Sequence, residues 1–372
     1  MIIGCPSEIK IQEYRVGLVP AAVKALVADG HLVLIQSHAG IGSGISNEQY
    51  KAVGAEIVER PESIWERADL ICKVKEPVSA EYPLMRSGQV LFAYLHLAAD
   101  LELTQALLKQ KVSGVAFETI QVGNSLPLLK PMSEVAGRMS IQVGAWCLEK
   151  QQGGKGLLLG GVAGVPKAKV AILGGGAAGL QAVKVAVGMG ALVTVLDTNL
   201  ERLEYLDNLF SERVQALYST PYSIAEAVAE ADLVVGAVLI AGAKAPKLVT
   251  RKLLGQMSKG SAIVDIAIDQ GGCVETMHVT THDNPIFQVD GIVHYGVGNM
   301  PGAVARTSTF ALAQATLPYL RLLAGAGLKA ACEQNKSLAL GLNTHQGYLT
   351  YEAVAEAHGL AFHEYSQSLA TS

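Results

Sequence analysis

One stretch constrains this chain more than any other: residues 169–197, KVAILGGGAAGLQAVKVAVGMGALVTVLD. Residues 169–173 form a short apolar run, read as a buried strand from its length and its Val and Ile content. Gly174, Gly176 and Gly179 follow as G-x-G-x-x-G, then a helix-period segment at 180–189 and a second apolar run at 192–196 that ends in Asp197. Gly174 permits the tight turn, Gly176 lets a pyrophosphate approach the backbone, and Gly179 lets helix and strand pack closely. The helix N-terminus then offers free N–H groups and a partial positive charge to the phosphates. Asp197 stands where a carboxylate accepts the ribose hydroxyls of NAD and repels the 2′-phosphate of NADP, so NAD is the expected dinucleotide. The alternative is a βαβ turn with no ligand; the order strand, turn, helix, strand, acid favours the dinucleotide.

The 372 residues are enough for two domains, each with its own core. A net charge of −4 without a dense Lys/Arg run excludes a polyanion-binding signature, so no nucleic-acid partner is expected. The N-terminal residues lack the basic start and long apolar core of a signal peptide. The apolar segments are interrupted by Gly, Lys or Asp, which reads as buried strands and helices rather than membrane spans. Five scattered cysteines without C-x-x-C spacing read as reduced thiols in a cytoplasmic protein, with no metal site expected.

In order, the pattern predicts a strand at 1–6, a polar loop at 8–19, a helix opened by Pro20, a strand at 31–36 and a helix capped by Ser46. Strands follow at 55–58, 70–74 (ending at Lys75), 90–95 (ending at His96) and 115–118, with a helix at 101–109. A long helix is expected at 131–151 with Ser133 as its N-cap, then a glycine-rich loop at 153–164. Beyond Asp197, strands at 214–217, 231–236 and 262–266 alternate with helices at 200–210, 223–230 and 250–257. The end of the chain reads as a helix at 307–323 interrupted by Pro318 and another at 348–358. Strands alternating with helices mean α/β architecture with doubly wound parallel sheets, twice over. Ligands of such sheets sit at the carboxyl ends of strands, so 238–239 and 266–269 are expected to face the cofactor.

Four residues at such strand ends carry candidate chemistry. Arg15 suits bidentate capture of a carboxylate, or else is a surface Arg paired with Glu13 or Glu8. Lys75 suits polarisation of a carbonyl oxygen, or else is a solvated strand end. His96 suits proton exchange near neutrality, or else is a structural cap on an apolar strand. Asp269 suits an acid beside the cofactor, or else serves the Asp-Gln-Gly-Gly turn.

With these residues in place, the chain resembles bacterial L-alanine dehydrogenases of the alanine dehydrogenase and transhydrogenase α-subunit family. The stretches that carry the resemblance span nearly the whole chain: EYRVGLVP (13–20), VKEP (74–77), FAYLHLA (92–98), PMSEVAGRM (131–139), ILGGGAAG (172–179), VLDTN (195–199), VDIAIDQGG (264–272), VGNMPGAVARTST (297–309) and GLNTHQGYLTYEAV (341–354). The four candidate catalytic positions match. Ala177-Ala178 and Arg202 fall where relatives vary.

The resemblance implies two Rossmann-like domains around a central cofactor cleft, joined by two long helices. The substrate domain would be 1–128 with 306–372, and the NAD domain 129–305. It implies reversible oxidative deamination of L-alanine to pyruvate and ammonia with NAD, in a homohexamer. By position, Arg15 would bind the substrate carboxylate, Lys75 its carboxylate or carbonyl oxygen, His96 would be the acid/base, and Asp269 would assist addition of ammonia or water. Ser133, Gly174, Gly176, Ala177, Ala178, Gly179, Asp197, Arg202, Ser219, Val238, Leu239, Ile266, Ala267, Ile268, Asp269, Val297, Gly298, Asn299 and Met300 would line the NAD site. Two rival readings are a nucleotide-binding transhydrogenase subunit and a non-enzymatic NAD sensor; the second need not keep Arg15, Lys75, His96 and Asp269. Lysine-type and saccharopine-type dehydrogenases are nearer chemical neighbours, separable by substrate.

Overall fold

The computed structural model describes residues 1–238 and 245–365. Its strands are β1 (Ile2–Cys5), β2 (Leu32–Gln36), β3 (Glu56–Val58), β4 (Leu70–Cys72), β5 (Val90–Ala93), β6 (Ser113–Ala116), β7 (Lys169–Leu173), β8 (Leu192–Asp197), β9 (Val214–Tyr218), β10 (Leu233–Gly236), β11 (Ala262–Asp265), β12 (Ile286–Val289), β13 (Ile292–Tyr295), β14 (Leu342–His345) and β15 (Tyr348–Leu349). The chain divides into two compact units, one of Met1–Met132 with the segment from Val304 onward, the other of Ser133–Ala303.

The first unit carries the sheet β15-β14-β6-β5-β4-β1-β2-β3. The six strands from β1 to β6 run parallel, whereas β14 pairs antiparallel with β6 and with β15. The chain builds outward from β1 through β2 to β3, then returns to the other side of β1 for β4, β5 and β6. The switch point therefore lies between β1 and β4. β4, β5 and β6 are buried along their whole length, which is what a parallel sheet covered on both faces demands. Helix Pro20–Ala28 starts on proline and buries Ala22, Val23 and Leu26; helix Leu101–Lys109 is capped by Asp100 and buries Leu103, Thr104 and Leu107. Leu103 and Leu107 join Trp65, Leu91 and Leu95 in one core.

The second unit carries β12-β13-β11-β10-β7-β8-β9, parallel except for the antiparallel edge strand β12. It grows from β7 through β8 to β9, then back across β7 to β10, so its switch point lies between β7 and β10. Its core gathers Ala171 and Leu173 of β7, Val234 of β10 and Ile263 of β11 with Ile224 and Val228 of helix Pro221–Glu230.

Four local expectations are corrected. Helix Lys130–Cys147 starts before Ser133, which is an intrahelical residue and not the N-cap. The cause is Pro131, whose missing N–H costs nothing in a first turn and whose φ favours helix. Helix Ala305–Ala326 runs unbroken through Pro318. Its buried face, with Ser308, Leu312, Ala313, Thr316, Leu320 and Leu323, is long enough for tertiary packing to outweigh one lost hydrogen bond. Residues 348–349 are strand β15, not helix, and the helix of this segment is Glu352–His358. Gln346 and Gly347 both adopt positive φ, 48° and 90°, which makes a tight two-residue hairpin turn between β14 and β15. Finally, the strand expected at 70–74 ends at Cys72, although backbone hydrogen bonds continue from Lys73 N–H to Phe92 and from Tyr94 N–H to Val74.

Candidate active site

In the second unit the dinucleotide motif folds as its spacing demands. β7 ends at Leu173, residues 174–176 turn, and helix Ala177–Gly188 begins. Gly174 has φ +100°, and a Cβ there would lie 2.7 Å from the carbonyl oxygen of Ala237. A Cβ on Gly179 would lie 1.8 Å from the Gly174 carbonyl oxygen, so helix and turn are in direct backbone contact. A Cβ on Gly176 would meet nothing within 4 Å: the space in front of this turn is open. Gly176 caps the helix without a side-chain hydrogen bond, so no side chain of the cap competes for its first N–H groups. A turn of this shape can cradle a pyrophosphate.

Asp197 closes β8. Its Oδ2 accepts the Gly175 N–H at 2.7 Å and its Oδ1 the Asn199 N–H at 2.9 Å. The carboxylate is thus fixed against the turn, in the position from which it can accept ribose hydroxyls. Arg202 donates to the carbonyl oxygens of Gly175 and Gly176, and the Ser219 N–H reaches the Asp197 carbonyl at 2.9 Å. Ser133 enters through helix Lys130–Cys147. One turn on, a Cβ on Gly137 would lie 2.0 Å from the Ala178 carbonyl oxygen, so this helix presses against the start of the dinucleotide helix. Val238 follows β10, residues 266–269 follow β11 in the short helix Ile266–Gln270, and 297–300 follow β13. All leave the carboxyl ends of parallel strands on one side of the switch point. Leu239 lies outside the described residues.

Asp269 is exposed in this unit, and its Oδ2 accepts the Asn299 N–H at 3.2 Å, tying the segment after β11 to the one after β13. Its loop is anchored by a residue that sequence reasoning missed. Asp265 is fully buried, and accepts N–H groups of Ala267, Cys273 and Val274 at 3.1, 2.8 and 3.1 Å. Burial pushes its carboxyl above the usual range, against the pull of those donors.

In the first unit, β6-β5-β4-β1 are neighbours, and each releases charged chemistry at its carboxyl end. After β1 comes Arg15, only 2 % exposed. Its Nε and Nη2 donate to the two oxygens of Glu13 at 2.7 and 2.6 Å, and Nη1 approaches Met132 Sδ at 3.1 Å. The pairing with Glu13 weighed as an alternative is therefore real, but buried rather than at the surface. Burial opposes the guanidinium charge, and Glu13 more than offsets it, raising the Arg15 pKa.

Beyond β4 stands half-buried Lys75. Its neighbour Glu76 pairs with Lys10. Burial would raise the Glu76 carboxyl, but Lys75 and Lys10 hold it below its usual value. Beyond β5 stands His96, with φ +50° and a side chain 43 % exposed. A non-glycine residue in that region costs of order 1 kcal/mol or more. Glu118, after β6, offsets this by accepting the His96 N–H at 2.6 Å and the Leu95 N–H at 3.1 Å, and its Oε1 lies 3.9 Å from His96 Nδ1. The Tyr94 ring stacks on the imidazole, with centroids 5.9 Å apart. Glu118, like Asp265, carried no motif that could have announced it: Glu118 holds amides at the end of β5 that the pairing of β5 with β6 brings near it, and Asp265 holds amides of the loop that follows it.

Arg15, Lys75 and His96 thus lie in one unit, and Asp269 lies with the glycine turn and Asp197 in the other. Residues 4–136 match the model "Alanine dehydrogenase/PNT, N-terminal domain" and residues 140–352 the model "Alanine dehydrogenase/PNT, C-terminal domain". The alanine dehydrogenase of Methanococcus maripaludis is 55% identical over 364 residues, covering 97% of this chain and 98% of that protein.

This chain belongs to the alanine dehydrogenase family.

A solved L-alanine dehydrogenase superposes with a TM-score of 0.94 at 53% identity, over 96% of this chain and 99% of that one. A solved transhydrogenase from Sinorhizobium meliloti superposes with a TM-score of 0.83 at 26% identity, over 94% and 100%. As in that family, the fold is two Rossmann-like α/β domains.

Proposed function

We infer that this chain is an NAD-dependent L-alanine dehydrogenase that reversibly converts L-alanine to pyruvate and ammonia. The observation that carries the reading is the set of adjacent strand ends β6-β5-β4-β1, which bring a buried Arg, a half-buried Lys and an exposed His to one edge. A 2-oxo acid needs those three groups: a bidentate carboxylate ligand, a cation at the carbonyl oxygen and a proton carrier.

Arg15 binds the pyruvate carboxylate, its guanidinium plane set by Glu13. Lys75 and protonated His96 draw electron density onto the carbonyl oxygen, so ammonia adds to C2. His96 then gives its proton to the departing hydroxyl, water leaves, and the imine remains. Asp269 assists addition of ammonia in this direction and of water in the reverse. Gly174, Gly176, Ala177, Ala178 and Gly179 hold the pyrophosphate and Asp197 the ribose. Ser133, Arg202, Ser219, Val238, the segment 266–269 and Val297, Gly298, Asn299 and Met300 complete the NAD site. When bound, NADH supplies the hydride that reduces C2.

A homohexamer in the cytoplasm belongs to the same reading. Its support is the family, together with five buried cysteines that are all free thiols. Light scattering on the purified protein tests the hexamer. Loss of NADH absorbance that requires both pyruvate and ammonium tests the activity. Loss without ammonium would make the protein a hydroxy-acid dehydrogenase instead.

A further inference from the structure

One buried cation of the first unit has no part in the chemistry above. Lys73 is 1 % exposed, its ammonium 2.9 Å from Glu81 Oε1 and 3.3 Å from Glu8 Oε2. Glu8 and Glu81 side chains are themselves 2 % and 6 % exposed. Desolvating three charges costs several kcal/mol per ion, and an apolar side chain of the same volume would often be as stable. A position this well packed, next after the end of β4, has no need of a lysine for stability alone.

What the triad does is visible in the other oxygens of its carboxylates. Glu8 Oε1 accepts the Val74 N–H at 2.6 Å, and Glu81 Oε2 accepts the Val78 N–H at 3.0 Å. Those two amides flank Lys75, one residue before it and three after. The segment 74–78 is therefore held at both ends by two carboxylates, and the Lys73 ammonium fixes the distance between them. Glu76, inside the same segment, is tied separately to Lys10. Lys75 makes no side-chain hydrogen bond among the described residues, so its placement comes from its backbone.

We propose that Lys73, Glu8 and Glu81 form a positioning unit that sets the Lys75 ammonium where it meets the substrate carbonyl. The proposal rests on the reading of Lys75 as a substrate-contacting residue. Lys73 touches no reacting atom. Its worth lies in making the backbone around Lys75 rigid, which matters because an ångström of misplacement can cost about a hundredfold in rate.

The test uses the intact enzyme and a triple variant with no charge at these three positions, Lys73→Met with Glu8→Gln and Glu81→Gln. Methionine keeps the volume, and both glutamines keep an oxygen for the Val74 and Val78 amides. The triple variant is expected to retain its far-ultraviolet spectrum and bind NADH within about twofold of the parent. Its KM for pyruvate is expected to rise at least about tenfold and its kcat to fall by a similar factor. In a Lys75→Ala background the same three changes are expected to add less than about twofold, because their effect passes through Lys75. Unchanged pyruvate kinetics would overturn the proposal, as would an undiminished effect in the Lys75→Ala background. An equal loss of NADH affinity would show a global defect and overturn it too. Full turnover of Lys75→Ala alone would instead remove the underlying reading. If the triple variant does not fold, Glu81→Gln alone, which leaves the Lys73–Glu8 pair, must raise the pyruvate KM at least about threefold; no change there overturns the proposal.

Discussion

The two units use one topology to make two kinds of site. Each sheet has a switch point beside its first strand, between β1 and β4 in one unit and between β7 and β10 in the other. In the second unit the chain leaves β7 through three residues and enters a helix directly, so what it presents there is backbone: N–H groups, an open glycine and one acid. In the first unit residues 6–19 separate β1 from helix Pro20–Ala28, and that loop fills the switch point with side chains. Glu8, Glu13 and Arg15 come from it and meet Lys73 and Met132. A pyrophosphate is recognised by geometry that glycine permits. A small 2-oxo acid offers no such length of chain, so it needs charges that are buried, paired and aimed.

The sharpest way to break this comparison is His96→Ala. If the first unit does the proton chemistry, turnover falls by about a hundredfold to ten-thousandfold while NADH affinity, followed by fluorescence titration, stays the same. Retained turnover would remove His96 from its role. Asp197→Ala is the converse. NADH affinity is expected to fall by about tenfold to a hundredfold, as for a lost charge-assisted hydrogen bond, with the pyruvate KM at saturating NADH little changed. A pyruvate defect of equal size would show that the labour is not divided.

Two glycines sharpen the picture of the backbone site. Gly176→Ala points its methyl into open space, so it should leave the melting temperature within about 1 °C yet weaken NADH binding several-fold. Gly179→Ala meets the Gly174 carbonyl oxygen, so it should lower stability by about 1–3 kcal/mol, read in a denaturant titration. The reverse ranking would contradict the assignment of the two positions.

The smallest effect concerns pH and is common to both units. His294 and His345 are buried, and burial lowers the pKa of each below the usual imidazole value. His294 is held neutral in shape as well: Nδ1 donates to the Ile292 carbonyl and Nε2 accepts from the Thr276 hydroxyl. The unfolded chain takes up protons that these folded imidazoles refuse, so their stabilisation is complete above the unfolded pKa and is lost as pH falls through the folded one. Acidification from about pH 7.5 to about pH 5.5 should therefore lower the melting temperature, and His294→Gln should reduce that slope. An identical slope in the variant would exclude His294 as a contributor.

Much of this was legible in the sequence, for reasons that differ by residue. The dinucleotide turn is local: strand, glycines, helix and acid lie within thirty or so residues, and each position has one conformational task. Ser46 and Pro20 are local too, and the structure shows the first as a capping box with Gln49 and the second at the helix start. Alternation of strands and helices fixed the doubly wound class because parallel strands require crossover connections. Spacing alone could only nominate Arg15, Lys75, His96 and Asp269, each beside a bland alternative.

Tertiary structure decided what no local pattern encodes. Helix Ala305–Ala326 survives Pro318 because a long buried face outweighs one missing hydrogen bond. β14 and β15 became an antiparallel edge because two residues at positive φ close a tight turn that the sequence does not advertise. Above all, the acids Glu8 and Glu118 acquired their meaning only when the fold set them against amides far along the chain. Lys73 and Lys75 lie two residues apart in the same short run, yet burial makes one an ion-paired anchor and leaves the other half-exposed. The chain states which residues carry charge, and only the fold decides which charges are sealed away from water.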